Sequence, residues 1–384
     1  MTSRQQAQET PVSSGSSTEE VTMRAIVFEA YGPADVLHLA QIPRPQIAEN
    51  EVLVKVHAAG LDRGTWHITT GLPYVLRLAY GFRSPKYPVP GLDVAGAVEA
   101  VGAKVTRFVV GDPVFGVAKG PFAEYASARE NQLALKPTNI SFEQASVVPV
   151  SACTALQALR AAGLNPNQSA DPGQTNDTIQ TIGADPNTKD TDPNAKARKV
   201  LILGASGGVG SYAVQLAKAA GAEVTGVCST SKMDMVRSLG ADHVIDYTHQ
   251  DFADGSEHYD VIIDIAGNPS IKRLRRALTP GGTAVLTGGE EGGPLTGGLD
   301  RQLRALALSP FIGQKLTMIF GTEGSDDLEY LAGILEAGSL VPAIDRVYPL
   351  EQVPDAMRYF DAGKVRGKVA ITVHEVPGVQ GSAS

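Results

Sequence analysis

The sequence predicts an α/β protein in which a doubly wound parallel sheet is joined to a second, β-rich domain. Three observations carry this. Residues 200–228 read in unbroken succession as an apolar strand, a glycine turn, a helix and a second strand. From there towards residue 340, strand-like runs alternate with helical ones, a pattern that calls for parallel strands with crossover helices. Before residue 142 the chain instead holds short β-branched and apolar runs broken by Gly and Asp-Pro turns, with few helical stretches.

Taken in order, "MTSRQQAQETPVSSGSSTEE" (1–20) is polar and lacks the apolar stretch of a secretory leader, so it reads as a disordered tail. "MRAIVFEAYG" (23–32) and "EVLVKVHAAGL" (51–61) are strands, the second alternating as a half-buried strand does. "GLDVAGAVEAVGAKVTRFVVGDPVFGV" (91–117) and "PFAEYASARENQLALKP" (121–137) continue as short strands. "SFEQASVVPVSACTALQALRAAG" (141–163) is helical, with Ser141 and Gln144 placed as a capping box. Beyond the opening unit come strands at 243–247 and 259–267, helix 270–278, strand 282–289, a helix in "LEQVPDAMRYFDAG" and a last strand, "KVAITV" (368–373).

That strand is expected to return to the first domain, which sets the boundaries. The β-rich domain takes 21–150 and 341–375, the doubly wound domain takes 151–340, and 376–384 is a tail. Segment 165–199, poor in apolar residues and rich in Asn, Asp, Pro and Thr, reads as a flexible surface insertion.

Composition bounds the function. With 384 residues, two domains are expected. A net charge of -8 argues against a general nucleic-acid or anionic-membrane surface. No apolar run reaches the length of a membrane span. Two cysteines, Cys153 and Cys228, are too few for a disulfide framework and suit a reducing, cytoplasmic location.

The glycine turn carries the chemistry. Against a Gly-x-Gly-x-x-Gly fingerprint, Ala205, Gly207 and Gly210 align, so the first glycine is replaced. Ser206, Gly208 and Val209 complete the turn. Gly207 lets backbone approach a pyrophosphate, Gly210 permits close helix–strand packing, and the helix N-terminus offers amides to phosphate. An NAD-binding unit usually ends its second strand on a carboxylate that meets the adenosine ribose. Here Cys228 stands in that place, followed by Ser229, Thr230, Ser231 and Lys232, all able to donate to a phosphate. The pattern favours NADP(H). The same Ser-Thr-Ser also suits capping of a helix starting near Lys232.

Together "PVPGLDVAGAVEAVG", "GDPVFG", "FAEYA", "ASVVPVSACTALQAL", "GASGGVGSYAVQLAK", "LGADHVIDY" and "RGKVAITV" resemble the zinc-independent, quinone-oxidoreductase-like branch of the medium-chain dehydrogenase/reductase superfamily. The resemblance covers about residues 22–374 apart from the insertion. It implies a GroES-like catalytic domain beside a Rossmann domain, a site in the cleft between them, and a homodimer paired through Rossmann-sheet edges, with "QKLTMIF" (314–320) as the edge strand. Where zinc-dependent members place metal ligands, this chain has Asp62, Leu92 and about Val150, so no metal is expected. Zinc catalysis uses three protein ligands.

The resemblance also implies site residues. Thr154 aligns with a threonine near the nicotinamide and Tyr247 with a tyrosine near the adenosine phosphate. Thr287, Gly288 and Gly289 align with a turn whose backbone meets the carboxamide, and Gly367-Lys368 aligns with a terminal Gly-Lys. Asp62 stands where relatives carry an Asn-Pro-x-Asp loop; it reads as an acceptor for ribose or substrate, as a weak base, or as a loop cap. Residues 71–88 are apolar and aromatic enough to wall an acceptor pocket, with Tyr74 and Tyr80 as proton donors or packing groups. Trp66 suits stacking on a flat acceptor or filling core.

Without a strong Lewis acid, hydride transfer to an already electrophilic acceptor is the fitting chemistry. The expected activity is NADPH-dependent reduction of an apolar quinone or α,β-unsaturated carbonyl. The alternatives are a zinc-free alcohol or aldehyde dehydrogenase, or a non-enzymatic NADPH-binding sensor or scaffold.

Overall fold

The computed structural model describes residues 21–166, 197–288 and 292–374. The terminal tails, nearly all of the 165–199 insertion and Gly289 therefore lie outside the described residues.

The β-rich part opens with a two-stranded sheet, β1 (Thr22–Val27) against β2 (His38–Pro43). Its main sheet is built around β3 (Glu51–Leu61), whose residues are buried along most of its length. β4 (Asp93–Val101) and β6 (Tyr125–Arg129) both pair antiparallel with β3, while β5 (Pro113–Val117) and β7 (Leu133–Leu135) extend the far side. From the other end of the chain, β14 (Ile344–Pro349) and β15 (Lys368–Thr372) complete the sheet, with β15 antiparallel to β3. Packing is by apolar contact among Ile26, Val54, Phe122 and Ile371, all fully buried.

The second sheet is wholly parallel. β8 (Lys199–Leu203), β9 (Glu223–Cys228), β10 (His243–Asp246), β11 (Tyr259–Asp264), β12 (Leu278–Leu286) and β13 (Lys315–Met318) lie in the order β10-β9-β8-β11-β12-β13. Strand order reverses between β8 and β11, and in open parallel sheets ligands bind beyond the strand ends at such a point.

Helices of the β-rich part are α1 (Arg63–Thr70), α2 (Arg77–Tyr80) and α3 (Phe142–Ser146). α4 (Pro149–Ala161) leads into the parallel sheet, which carries α5 (Gly208–Ala219), α6 (Met233–Ser238), α7 (Ile271–Ala277), α8 (Leu299–Leu308) and α9 (Ser325–Glu336). α10 (Val353–Asp361) precedes β15.

Two readings of the sequence change. The helix expected over 141–163 is two helices. Ser141 and Gln144 form the reciprocal capping box of α3, but Pro149 has no N–H to continue that helix and instead opens α4. The segment after β3, read as a loop, is the helix α1. Asp62 caps it, with Oδ1 accepting from the Thr65 amide at 2.7 Å, and Gly71 ends it at φ +63°.

α4 ties the two parts together. One apolar cluster runs from Phe115 and Ala134 through Leu156 and Leu159 to Val200 and Ile263 of the parallel sheet. Tyr212 of α5 is fully buried in it, its hydroxyl donating to the Val147 carbonyl at 3.1 Å. The face of α5 and the β5–β7 edge of the β-rich sheet are thus fixed relative to each other by core packing.

Candidate active site

The turn between β8 and α5 is shaped by glycines of different function. Gly204, one residue before the aligned Ala205, takes φ +85° and makes the tight turn that the missing first glycine would make. Ala205 is buried and its amide donates to the Val227 carbonyl at 3.0 Å, so it belongs to the sheet edge. A Cβ on Gly210 would stand 2.1 Å from the Gly204 carbonyl oxygen, which only a glycine permits. A Cβ on Gly207 would meet nothing nearer than that oxygen at 3.4 Å. Gly207 is therefore spared a side chain by something other than the fold, as a backbone that a pyrophosphate approaches would be. The first-turn amides of α5 at Gly208, Val209 and Gly210 have no acceptor within an α-helix and face the switch point. This cradle fits a dinucleotide.

Ser206 is buried, and its carbonyl accepts the Gly367 amide at 2.9 Å. The next residue, Lys368, enters the interior. Its Nζ lies 3.0 Å from Ser151 Oγ and 3.3 Å from Asp93 Oδ2. A Cβ on Gly208 would sit 3.0 Å from Lys368 Cδ. The terminal Gly-Lys is thus packed beneath the first turn of α5.

At the adenosine end, Cys228 is buried and its thiol is pushed up to about 11 by burial. The Ser-Thr-Ser segment does not cap α6: Thr230–Lys232 forms a 3-10 turn led by Ser229 with no side-chain cap bond, and Lys232 itself precedes Met233. Lys232 Nζ donates to the Gly363 and Val365 carbonyls at 3.0 and 2.8 Å, spanning to the loop after α10. An acidic group stands one strand over. Asp246 is in register with Cys228. Its carboxylate accepts from the Thr230 hydroxyl, the Thr248 amide at 3.0 Å and hydroxyl at 2.7 Å, and is 3.0 Å from His249 Nδ1. The hydrogen bonds from Thr230 and then Thr248 hold it below the usual carboxylate range. Tyr247 beside it is 63% exposed, leaving its ring open to a planar group. Ser231 lies in the same turn.

The turn after β12 is braced from behind. Thr287 spends both amide and hydroxyl on the Asp264 carbonyl, at 2.9 and 3.1 Å. A Cβ on Gly288 would stand 2.2 Å from the Ile265 oxygen. The Gly288 carbonyl accepts from Arg301 Nη2 at 3.2 Å and from Gln302 Nε2 at 3.1 Å, and Arg301 also holds Asp264 at 2.7 Å inside the protein.

The cleft between the parts gathers the remaining candidates. Asp62 is 4% exposed; its Oδ1 is used in capping, while Oδ2 has no partner among the described residues. A buried carboxylate oxygen left bare is costly unless a ligand meets it. Leu92 lies against this corner, since a Cβ on Gly64 would be 3.1 Å from Leu92 Cδ1 and 3.2 Å from Asp62 Oδ1. Thr154 on α4 donates to the Val150 carbonyl at 2.7 Å. Tyr80 is half-buried, and burial, then the charges of Glu323 and Asp62, push its phenol up. Tyr74, in contrast, is 47% exposed, and its amide donates to the Pro294 carbonyl at 2.7 Å, closing the rim between segments 72–82 and 292–298. Trp66 faces away: its indole donates to Asp361 at 2.9 Å and Arg63 covers its ring. No group of three His, Cys, Asp or Glu side chains among the described residues is arranged to hold a metal ion.

Sequence reasoning missed Gly204, Asp246 as the acceptor of the Thr230 hydroxyl, and Glu323. The first two had a signal in "LGASG" and "VIDY"; Glu323 has none, because burial and distant neighbours give it its character.

Comparison with known proteins agrees with this architecture. Residues 48–138 match the alcohol dehydrogenase GroES-like domain family and residues 239–371 match a family described as zinc-binding dehydrogenase. The chain is 32% identical to a chloroplastic quinone-oxidoreductase homolog of Spinacia oleracea, over 91% of this chain and 98% of that one. It is also 32% identical to a chloroplastic NADPH-dependent alkenal/one oxidoreductase of Arabidopsis thaliana, over 91% of this chain and 79% of that one. The quinone oxidoreductase structure from Coxiella burnetii superposes with a TM-score of 0.75 at 26% identity, covering 92% of this chain and all of the other. The chain belongs to the quinone-oxidoreductase-like branch of the medium-chain dehydrogenase/reductase superfamily.

Proposed function

We propose that this protein is an NADPH-dependent oxidoreductase that reduces a quinone or an α,β-unsaturated carbonyl, without a metal ion, in the cleft between its two sheets. The observation that carries the reading is the Gly204–Gly210 turn, which opens α5 at the switch point of the parallel sheet. The names of the relatives supply the acceptor class.

When bound, the nicotinamide supplies the hydride. The protein's own groups bind and orient. First-turn amides of α5 meet the pyrophosphate, Lys232 and its hydroxyl-bearing neighbours meet a 2′-phosphate, and Asp62 Oδ2 accepts from a ribose or substrate hydroxyl. Thr154 and the turn at Thr287–Gly288 flank the nicotinamide end. Tyr80 keeps its proton at neutral pH and is a hydrogen-bond donor towards the acceptor. The 71–88 segment closes the rim and limits water. Conjugated acceptors need little more, because they delocalise the incoming charge.

The proposal includes a cytoplasmic homodimer. β13 is the outer strand of the parallel sheet, and Phe311 and Phe320 beside it are 85% and 69% exposed, as an edge covered by a second copy would be. Deuteride-labelled NADPH and methyl vinyl ketone test the reaction in chelator-treated buffer: label is expected on the β carbon of the saturated product. Loss of turnover with chelator, restored by zinc, would refute the metal-free part.

A further inference from the structure

Glu323 is held in the cleft by contacts that nothing in the cofactor cradle requires. Gln157, on α4 next to the turn that carries Thr154, grips the backbone of Thr322 from both sides. Its Nε2 donates to the Thr322 carbonyl at 2.6 Å, and its Oε1 accepts the Thr322 amide at 3.2 Å. The same Nε2 reaches Asp327 Oδ2 at 2.7 Å, so the clamp is anchored at the head of α9. Gly321 brings the two segments together. A Cβ there would stand 2.6 Å from Thr154 Oγ1 and 3.8 Å from Glu323 Oε1. Only a residue without a side chain lets this segment lie so close to α4, and both Thr154 and the Glu323 carboxyl border the space at Gly321.

The titratable groups facing Glu323 come from four elements: Asp62 at the cap of α1, Tyr80 on α2, Asp93 on β4 and Cys153 on α4. Lys368 is committed to Asp93 and Ser151. Burial, then the Asp62 charge, push the Glu323 carboxyl up. Glu323 and Tyr80 act on each other electrostatically, Glu323 and Thr154 border the same space at Gly321, and a carboxyl shifted upward is the better proton donor of the two.

We propose that Glu323 is the general acid of this cleft, giving its carboxyl proton to the anion that hydride addition leaves on an α,β-unsaturated carbonyl. The assignment rests on the reductase reading above. Hydride adds to the β carbon with its electron pair, the alkene π pair shifts to an enolate, and the alkene is reduced by two electrons at the expense of the hydride donor. A C–H bond then forms at the α carbon as the Glu323 O–H bond breaks. The partly exposed carboxylate regains its proton from water. Gln157 and Gly321 are positioning residues for this step.

The test uses the full-length protein with NADPH and two acceptors, methyl vinyl ketone and benzoquinone. E323Q should reduce methyl vinyl ketone on the order of 100-fold more slowly than wild type, with E323D recovering part of the loss. Benzoquinone, whose reduced anion is stabilised by its aromatic ring, should lose far less. The wild-type rate with methyl vinyl ketone should fall along an alkaline limb that E323Q lacks. A readout independent of turnover is carbon NMR of protein carrying carboxyl-labelled glutamate. The resonance that vanishes in E323D should titrate above the ordinary glutamate range. E323Q matching wild type on methyl vinyl ketone at every pH, or a Glu323 midpoint at or below that range, would overturn the assignment. Wild-type protein that oxidises NADPH with neither acceptor would overturn the reductase reading, and this assignment with it.

Discussion

Lys368 Nζ and Asp93 Oδ2 lie 3.3 Å apart with both side chains closed off from solvent. The pair stands where β15, β4 and the first turn of α5 meet. It therefore links the terminal strand of one part to the cofactor cradle of the other.

Removing one partner leaves a buried polar group without its hydrogen bond. K368M should cost about 1–3 kcal/mol in urea unfolding, whereas a joint replacement of both by apolar groups should cost much less. Burial, against the pull of Lys368, pushes the Asp93 carboxyl up to about 8. An unfolded aspartate titrates near ~4, so between there and about 8 folding takes up a proton. The stability due to this group is full below the unfolded value and is lost as pH rises through the folded one. D93N should flatten that part of the stability–pH curve.

The two glycines of the cradle should separate binding from folding. G207A meets only one atom, at 3.4 Å, and should keep wild-type stability while NADPH affinity falls about tenfold or more. G210A forces its Cβ against backbone at 2.1 Å and should lower stability by roughly 2 kcal/mol or more. Calorimetric titration and denaturant melts on both variants check the split; unchanged NADPH affinity in G207A would contradict it.

Lys232 has two tasks to tell apart, holding the loop after α10 and meeting a 2′-phosphate. K232A should weaken NADPH by about tenfold and leave NADH nearly unchanged. Equal loss for both cofactors would show that its bonds to Gly363 and Val365 are its whole contribution.

Asp62 uses one oxygen for the fold and leaves one for a ligand. D62N keeps a capping side chain and should melt close to wild type, while D62A should lose about 0.5–2 kcal/mol. Both should weaken cofactor or acceptor binding, measured by fluorescence titration. Normal binding by D62N would restrict Asp62 to the cap.

These variants also mark what the sequence could convey. The unit from β8 to β9 was legible because its apolar runs and glycines follow the strand and helix periods without interruption. α1 was not, since "RGTWHITT" carries only Trp66 and Ile68 as large apolar residues; its sole local signals are Asp62 before it and Gly71 after it. Pro149 within an otherwise helical stretch was a legible break that the helical composition around it masked. Gly204 was readable only as a neighbour of the aligned alanine, because which residue takes a positive φ is decided by the turn. Glu323 was invisible: what makes it a candidate is Gln157, Thr154 and Asp62, all more than 150 residues away in sequence.

The central claim is that this cleft passes hydride from NADPH to a conjugated acceptor. Stopped-flow absorbance of NADPH mixed with enzyme and a panel of quinones and alkenones, repeated with NADH, measures it most directly. The account predicts enzyme-dependent NADPH oxidation with at least one member of the panel, faster than with NADH, and unaffected by chelator. Tight NADPH binding with no oxidation against the whole panel would contradict it.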